Sequence, residues 1–305
     1  MKNSSKPTLA VLALAVILTW SCGGGSDGAP PLVTPPAPSA TTIVAAGDIA
    51  QCGAAPAEAS AAALTAKLVT SQDSLALTLG DTTYPVGALT EFVNCFNPTW
   101  GAFKDKIRPA PGNHEYMTPN AEGYYTYFGV QAGPDRRGYY SYDFAGWHFI
   151  SLNSNVEAGP GSAQYTWLAA DLAASKSASC TVADWHTPVF SSGRHGSLEQ
   201  MKDIFQLLQT SGADIVLSGH DHIYERFAPQ RADGTLDNAR GIRAFVVGTG
   251  GASLYELRAT LPNSEFRDNT HHGVLRLTLR SGGYSWQFVA VGGAVLDSGS
   301  ANCNL

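Results

Sequence analysis

Five times between Thr42 and His222 a short apolar run breaks into a polar cluster. Thr42 to Ala46 meets Gly47-Asp48, and Ser74 to Leu79 meets Gly80-Asp81. Ile107 to Ala110 leads to Gly112-Asn113-His114-Glu115, Cys180 to Ala183 to Asp184-Trp185-His186, and Ile215 to Leu217 to Gly219-His220-Asp221-His222. Short apolar runs bounded by turn residues read as buried strands, and the stretches Pro56 to Val69, Ala163 to Lys176 and Leu198 to Thr210 between them carry helical spacing. In open α/β sheets ligands bind beyond the carboxyl ends of the strands, so the five clusters are expected to converge on one edge. From Gly241 onward the pattern changes to strands and turns, in Ile242 to Val247, Gly273 to Arg280 and Tyr284 to Val291. These are expected to form a second sheet packed on the first, with no internal repeat and no separate domain.

The 305 residues, 44% hydrophobic and 14% charged, suffice for one large α/β domain or two small ones. A formal net charge of −6 gives no support to a nucleic-acid partner. It does not exclude an anionic substrate, because bound cations supply a positive field that the side chains lack.

The N-terminus reads as an address. Lys2 and Lys6 precede an apolar run from Leu9 to Leu18, too short to span a bilayer and the right length for a signal-peptide core; a buried helix is the alternative. Thr19-Trp20-Ser21-Cys22 before Gly23-Gly24-Gly25-Ser26 resembles the lipobox of bacterial lipoproteins, with Cys22 as the lipidated residue. Thr19 and Trp20 depart from its usual small and leucine-like residues. We expect a signal peptide over residues 1–21 and export, as a periplasmic, outer-membrane-anchored or secreted protein. The glycine, proline and alanine of Gly23 to Ser39 cannot bury enough surface to offset their ordering entropy, so residues 22–41 are expected to be a tether and 42–305 the folded domain. Beyond it stand Cys52, Cys95, Cys180 and Cys303. An even count in an exported chain favours two disulfides, of which sequence allows three pairings. Cys52 with Cys95 and Cys180 with Cys303 is the expected arrangement, four buried thiols the alternative.

The clusters supply Asp48, Asp81, Asn113, His114, His186, His220 and His222, with Tyr84 one turn beyond Asp81. Two metal ions need both hard oxygens and borderline imidazoles, and this set holds both. One carboxylate can bridge two ions about 3.5–4 Å apart, the spacing of a two-metal hydrolytic site. The glycines beside the ligands are expected to allow a sharp turn and close approach of a phosphate. His220 and His222, two apart on a strand, would project to one face. Singly, each cluster has a plain reading: a turn at Asp48, a cap at Asn113 and His114, an interior histidine at His186. Five in order after five strands make those readings untenable together.

In order, Gly47-Asp48-Ile49-Ala50, Gly80-Asp81-Thr82-Thr83-Tyr84, Gly112-Asn113-His114-Glu115, Ala183-Asp184-Trp185-His186 and Gly219-His220-Asp221-His222 resemble the GDxG, GDxxY, GNH(D/E), VxxH and GHxH motifs of the calcineurin-like metallophosphoesterase superfamily, in its purple acid phosphatase branch. Ala50 replaces a glycine and Ala183 a valine. The resemblance covers Thr42 to His222, and the later strands fit the family's second half. It implies a four-layer αββα sandwich of two mixed sheets flanked by helices, with no further N-terminal β-domain, since only the tether precedes Thr42.

The resemblance also implies ligands. Asp48, Asp81, Tyr84 and His222 would hold one ion, and Asp81, Asn113, His186 and His220 the other. A Tyr84 phenolate favours Fe(III), beside a divalent zinc, iron or manganese; an aromatic lid is the alternative role for Tyr84. His114 would contact the phosphoryl oxygens or protonate the leaving group. His195, in the loop Ser191 to Gly196, is a second candidate donor or an ordinary loop histidine. Two ions lower the pKa of a water enough to give hydroxide and neutralise the phosphoryl oxygens, so direct in-line attack needs no protein nucleophile. A phosphomonoesterase is the expected function, with a phosphodiesterase or nucleotidase, or a non-catalytic binding lipoprotein, as alternatives. The expected partner is a small phosphate ester, with membrane contact only through a lipid anchor.

Overall fold

The computed structural model of the chain describes Met1 and residues 40–304, except 54, 55, 176, 177 and 179. The expected signal peptide, Cys22 and nearly all of the tether lie outside these residues. The strands are β1 (Thr41–Ala46), β2 (Ala50–Gln51), β3 (Asp73–Leu79), β4 (Thr83–Tyr84), β5 (Ile107–Ala110), β6 (Tyr140–Phe144), β7 (Trp147–Ser151), β8 (Cys180–Asp184), β9 (Ile215–Ser218), β10 (Tyr224–Phe227), β11 (Arg243–Val247), β12 (Ser264–Asp268), β13 (Gly273–Arg280), β14 (Gly283–Ala290) and β15 (Val295–Asn302). The α-helices are α1 (Ala61–Ala66), α2 (Leu89–Glu91), α3 (Glu122–Phe128), α4 (Ala163–Ala174) and α5 (Lys202–Thr210).

Two large mixed sheets result, ordered β15-β14-β13-β1-β3-β5 and β12-β10-β11-β9-β8-β7-β6. This corrects the expected division. The motif strands are split, with β1, β3 and β5 parallel in the first sheet and β8 and β9 parallel in the second. Of the later strands, β11 joins the second sheet beside β9, whereas β13 lies antiparallel on β1 and extends the first. The cause is backbone pairing. Ile43 to Ala46 of β1 are apolar and buried, so the edge away from β3 needs backbone partners, and β13 supplies them from Thr41 to Ala45.

Alternation then builds the layers. Phe149, Val182, Ile215, Leu217, Phe245 and Val247 of the second sheet join the core shared with the first. Their neighbours Ile150, Ala183, Val216, Ala244 and Val246 join a second core with Leu168 of α4 and Ile204, Phe205 and Leu208 of α5. On the first sheet, Ala62, Trp100, Tyr124 and Phe128 of α1, α3 and the turns around them complete the αββα sandwich.

The helices start where hydroxyl caps allow. Ser60 Oγ accepts Ala63 N–H at 3.2 Å, and Ser162 Oγ accepts Tyr165 N–H at 3.2 Å. α1 is shorter than the Pro56 to Val69 spacing suggests, because Ala57–Ala59 form a separate tight turn. Likewise Glu199–Met201 form such a turn before α5. Of the three pairings open to the cysteines, the structure carries Cys52–Cys95 and Cys180–Cys303, with Cα atoms 5.6 and 5.7 Å apart. The second ties the start of β8 to the chain just beyond β15, one strand in each sheet. No helix among the described residues is long and apolar enough to cross a membrane.

Candidate metal centre

The ends of β1, β3 and β11 are sewn together by backbone. Gly47 N–H donates to Val247 O at 2.8 Å, Asp48 N–H to Gly80 O at 3.1 Å, and Ile49 N–H to Asp81 O at 3.0 Å. Asp48, Asp81 and His220 hold φ of 58°, 47° and 70°. Left-handed backbone at non-glycine residues is costly and concentrates where a side chain must be aimed. Here it aims two carboxylates and an imidazole into one space. Asp48 Oδ2 also accepts His220 N–H at 2.8 Å, and Asp81 Oδ1 accepts His114 N–H at 2.8 Å, so each acid fixes a loop bearing another candidate residue.

Two sequence readings need correction. His220 and His222 lie in a bend after β9, not on a strand, so the bend and not a two-residue period brings them together. The glycines serve a different purpose at Gly112 and Gly219. Neither has a left-handed φ; a Cβ on Gly112 would overlap Asp81 Oδ1, and one on Gly219 would sit 2.6 Å from Asp48 Oδ2. Their missing side chains make room for neighbouring carboxylates.

Backbone carbonyls orient three of the imidazoles. His186 Nδ1 donates to Leu79 O at 2.8 Å, His222 Nδ1 to Ser253 O at 2.7 Å and His114 Nδ1 to Pro85 O at 2.6 Å. Because a carbonyl only accepts, Nδ1 carries the proton and the Nε2 lone pair of a neutral ring is free to bind. His222 Nε2 lies 3.1 Å from the Tyr84 hydroxyl and 3.3 Å from Asp48 Oδ1. The Tyr84 hydroxyl is 2.8 Å from Asp48 Oδ1 and 3.1 Å from Asp81 Oδ2. His186 Nε2 lies 3.1 Å from Asn113 Oδ1, 3.2 Å from Asp81 Oδ2 and 3.2 Å from His220 Nδ1. Asp81, His186 and His220 offer atoms within 4.8 Å of one another. All seven residues expected at the metals thus gather in two groups that share Asp81.

The other two candidates flank those groups. The His114 ring packs on Tyr84 at 4.3 Å, with Nε2 3.8 Å from Asp81 Oδ2. His195 is exposed, its ring 4.4 Å from that of His220.

Asp48 and Asp81 are buried, and among the described residues neither has a lysine or arginine partner. Burial works against their charge, yet His222 and His186 hold Asp48 below the usual carboxylate range, as His186 and His114 do for Asp81. Burial also opposes charge on His186, and Asp81 and Asp48 overcome it to raise the group to about 10. Burial and the neighbouring His186 push His220 down to about 3. Burial, Asp48 and Asp81 keep Tyr84 far above the ordinary phenol value. The carboxylates draw positive charge into the site; protons meet that demand in this geometry, and cations compete for the same lone pairs. The oxygen and nitrogen donors, the burial and the missing basic partner all suit a metal pair.

Sequence reasoning gave no role to two acids beside the ligands. Glu115 is buried and accepts Asp81 N–H at 2.9 Å, Thr82 N–H at 2.7 Å and Gly112 N–H at 2.6 Å; burial and then the Asp81 charge push it to about 8. Asp221 is buried and accepts His195 N–H at 2.8 Å and Gly196 N–H at 3.2 Å, together with the Ser191 hydroxyl. Both serve loop backbone, which a motif position alone does not disclose.

The sequence pattern of the calcineurin-like phosphoesterase family matches residues 32–224, which include every residue of both groups. The chain belongs to that family. Purple acid phosphatase 21 of Arabidopsis thaliana is 36% identical over 152 residues, 46% of this chain and 34% of the relative. Purple acid phosphatase 18 of the same plant is 27% identical over 260 residues, 76% of this chain and 54% of the relative. Purple acid phosphatase PPD1 from yellow lupin (Lupinus luteus) seeds superposes with a TM-score of 0.69 at 20% identity, over 87% of this chain and 54% of that one. Within its family the chain is thus purple acid phosphatase-like. It spans between about a third and a half of the length of these curated relatives.

Gly112→Ala forces Asp81 Oδ1 out of its place. The variant is expected to fold, by circular dichroism, but to bind less metal per chain than the parent by elemental analysis. Unchanged metal content would mean that Asp81 does not need this geometry.

Proposed function

We propose that the chain is a dinuclear metal-dependent phosphoester hydrolase acting on phosphate monoesters. The observation that carries the reading is the pair of donor groups sharing one buried carboxylate, Asp81, which among the described residues has no lysine or arginine partner. Asp48, Tyr84 and His222 would hold one ion and Asn113, His186 and His220 the other, with one Asp81 carboxylate serving both. Metals so held lower the pKa of water and neutralise phosphoryl oxygens. The phosphatase names of the relatives support the monoester assignment.

The chain's own groups do the rest. His114 has Nδ1 committed to Pro85 O, so its Nε2 alone faces the site and is the atom that would give a proton to the leaving oxygen. His195 lies against His220 and would contact the phosphoryl group from there. The Tyr84 hydroxyl, between two carboxylates, ionises only against a strong cation, which favours Fe(III) in the first position and a divalent zinc, iron or manganese ion in the second. Residues 1–21 would export the chain, Cys22 would carry a lipid, and residues 22–41 would tether the catalytic domain.

Metal-loaded protein is expected to hydrolyse p-nitrophenyl phosphate in preference to bis(p-nitrophenyl) phosphate. A reversed preference would make it a diesterase. His114→Ala is expected to keep its metals and lose roughly 10²–10⁴-fold in rate on an alkyl phosphate, whose leaving group needs a proton, and far less on p-nitrophenyl phosphate. An equal loss on both esters would remove the general-acid role. Tyr84→Phe keeps the ring and deletes the ligand oxygen. The oxidised parent should show a broad visible charge-transfer band that is absent from the variant; a colourless parent that binds zinc alone would exclude the ferric assignment.

A further inference from the structure

The segment after β8 carries an arginine that metal binding does not use. Arg194 is exposed, and its guanidinium lies over the Tyr255 ring at 5.2 Å. Tyr255 in turn stacks face to face on His222, 3.8 Å away at 10°. Arg194 therefore stands one stacked ring from a proposed metal ligand. A cavity of about 330 Å³ opens beside it, lined by Arg194, Leu254, Tyr255, Glu256 and Arg258. Among the described residues neither arginine has an acidic partner.

The pair is held by buried bonds. Asp221 fixes the backbone on either side of the His195 ring through His195 N–H and Gly196 N–H. Ser192 donates its N–H and hydroxyl to buried Glu225 at 2.7 and 2.6 Å. The same serine joins the two arginine segments: its carbonyl accepts Arg258 N–H at 2.9 Å, and its Oγ accepts Leu261 N–H at 3.1 Å. Two guanidinium groups without an acidic partner among the described residues line this one cavity from backbones stitched at one residue, and guanidinium donors match phosphate oxygens in pairs. Glu256 on the rim opposes this charge and sets an upper limit on it.

We propose that the Arg194–Arg258 cavity binds a second phosphate group of the substrate, so that the enzyme selects phosphate esters bearing two phosphates. This rests on the hydrolase reading above for the first phosphate. The distance between the two phosphates is then set by the span from the metal pair across Tyr255.

Calorimetry on metal-loaded protein, with a graded series of α,ω-alkane bisphosphonates and the alkyl monophosphonates of matching length, tests it without turnover. At the length that spans Tyr255 the bisphosphonate is expected to bind tighter than its monophosphonate by on the order of tenfold, one charge-assisted pair. Arg194→Ala with Arg258→Ala should abolish that gain while monophosphonate binding and p-nitrophenyl phosphate turnover stay as in the parent. Glu256→Gln should enlarge the gain. Equal affinity at every length, or an equal loss for both ligands in the double variant, would overturn the subsite. A bisphosphonate gain without any phosphatase activity would support the subsite and reject the hydrolase reading. Activity without a gain would reject the subsite alone.

Discussion

The Asp81 carboxylate is the point on which the site depends. One oxygen accepts His114 N–H, the other faces the Tyr84 hydroxyl and His186 Nε2, and Glu115 holds the Asp81 N–H from below. A buried carboxylate without a basic partner is expensive, and its cost falls only when something positive shares the space. The chain accepts further cost to keep it there. Left-handed backbone at Asp48, Asp81 and His220 and the bare glycines Gly112 and Gly219 are all needed for the donors to approach so closely. Such concentrated local strain is characteristic of a site whose geometry matters more than its stability.

The two-sheet architecture explains how loops distant in sequence reach that point. Parallel β1, β3 and β5 deliver Asp48, Asp81 and Asn113 from one sheet, and parallel β8 and β9 deliver His186 and His220 from the other. β11 closes the seam, since Val247 O accepts Gly47 N–H and Gly250 N–H returns to Gly47 O. A single sheet would spread five strand ends in a line. Facing two sheets brings them to within hydrogen-bond reach.

Much of this was legible in the residues. The apolar runs identified the motif strands because their hydrophobicity is continuous, and the polar residues after them identified the candidate ligands because little else explains histidine, aspartate and asparagine at five strand ends. Sheet membership was not legible. Ile242 to Val247 and Gly273 to Arg280 look alike as apolar runs, yet one pairs with β9 and the other with β1, a choice made by edge pairing across long separations. The bend at His220 is not legible because His-x-His fits a strand period equally well. Glu115 and Asp221 were hidden for another reason: a buried acid that serves backbone N–H groups looks, in sequence, like any acid beside a ligand.

With a net charge of −6, and with Asp48, Asp81 and Asp221 buried in or beside the site, the bare protein offers a phosphate no general attraction. Fields of remote surface charges fade within a Debye length of about 8 Å in physiological salt, so recognition of an anion has to be local. Among the described residues the two donor groups contain no lysine or arginine that could supply it. Arg194 lies outside them, over the Tyr255 ring that stacks on His222. Under the proposed function, cations held by these same carboxylates would supply the attraction that the side chains do not. Phosphate affinity should accordingly follow metal occupancy in a way that the overall charge of the chain does not reveal.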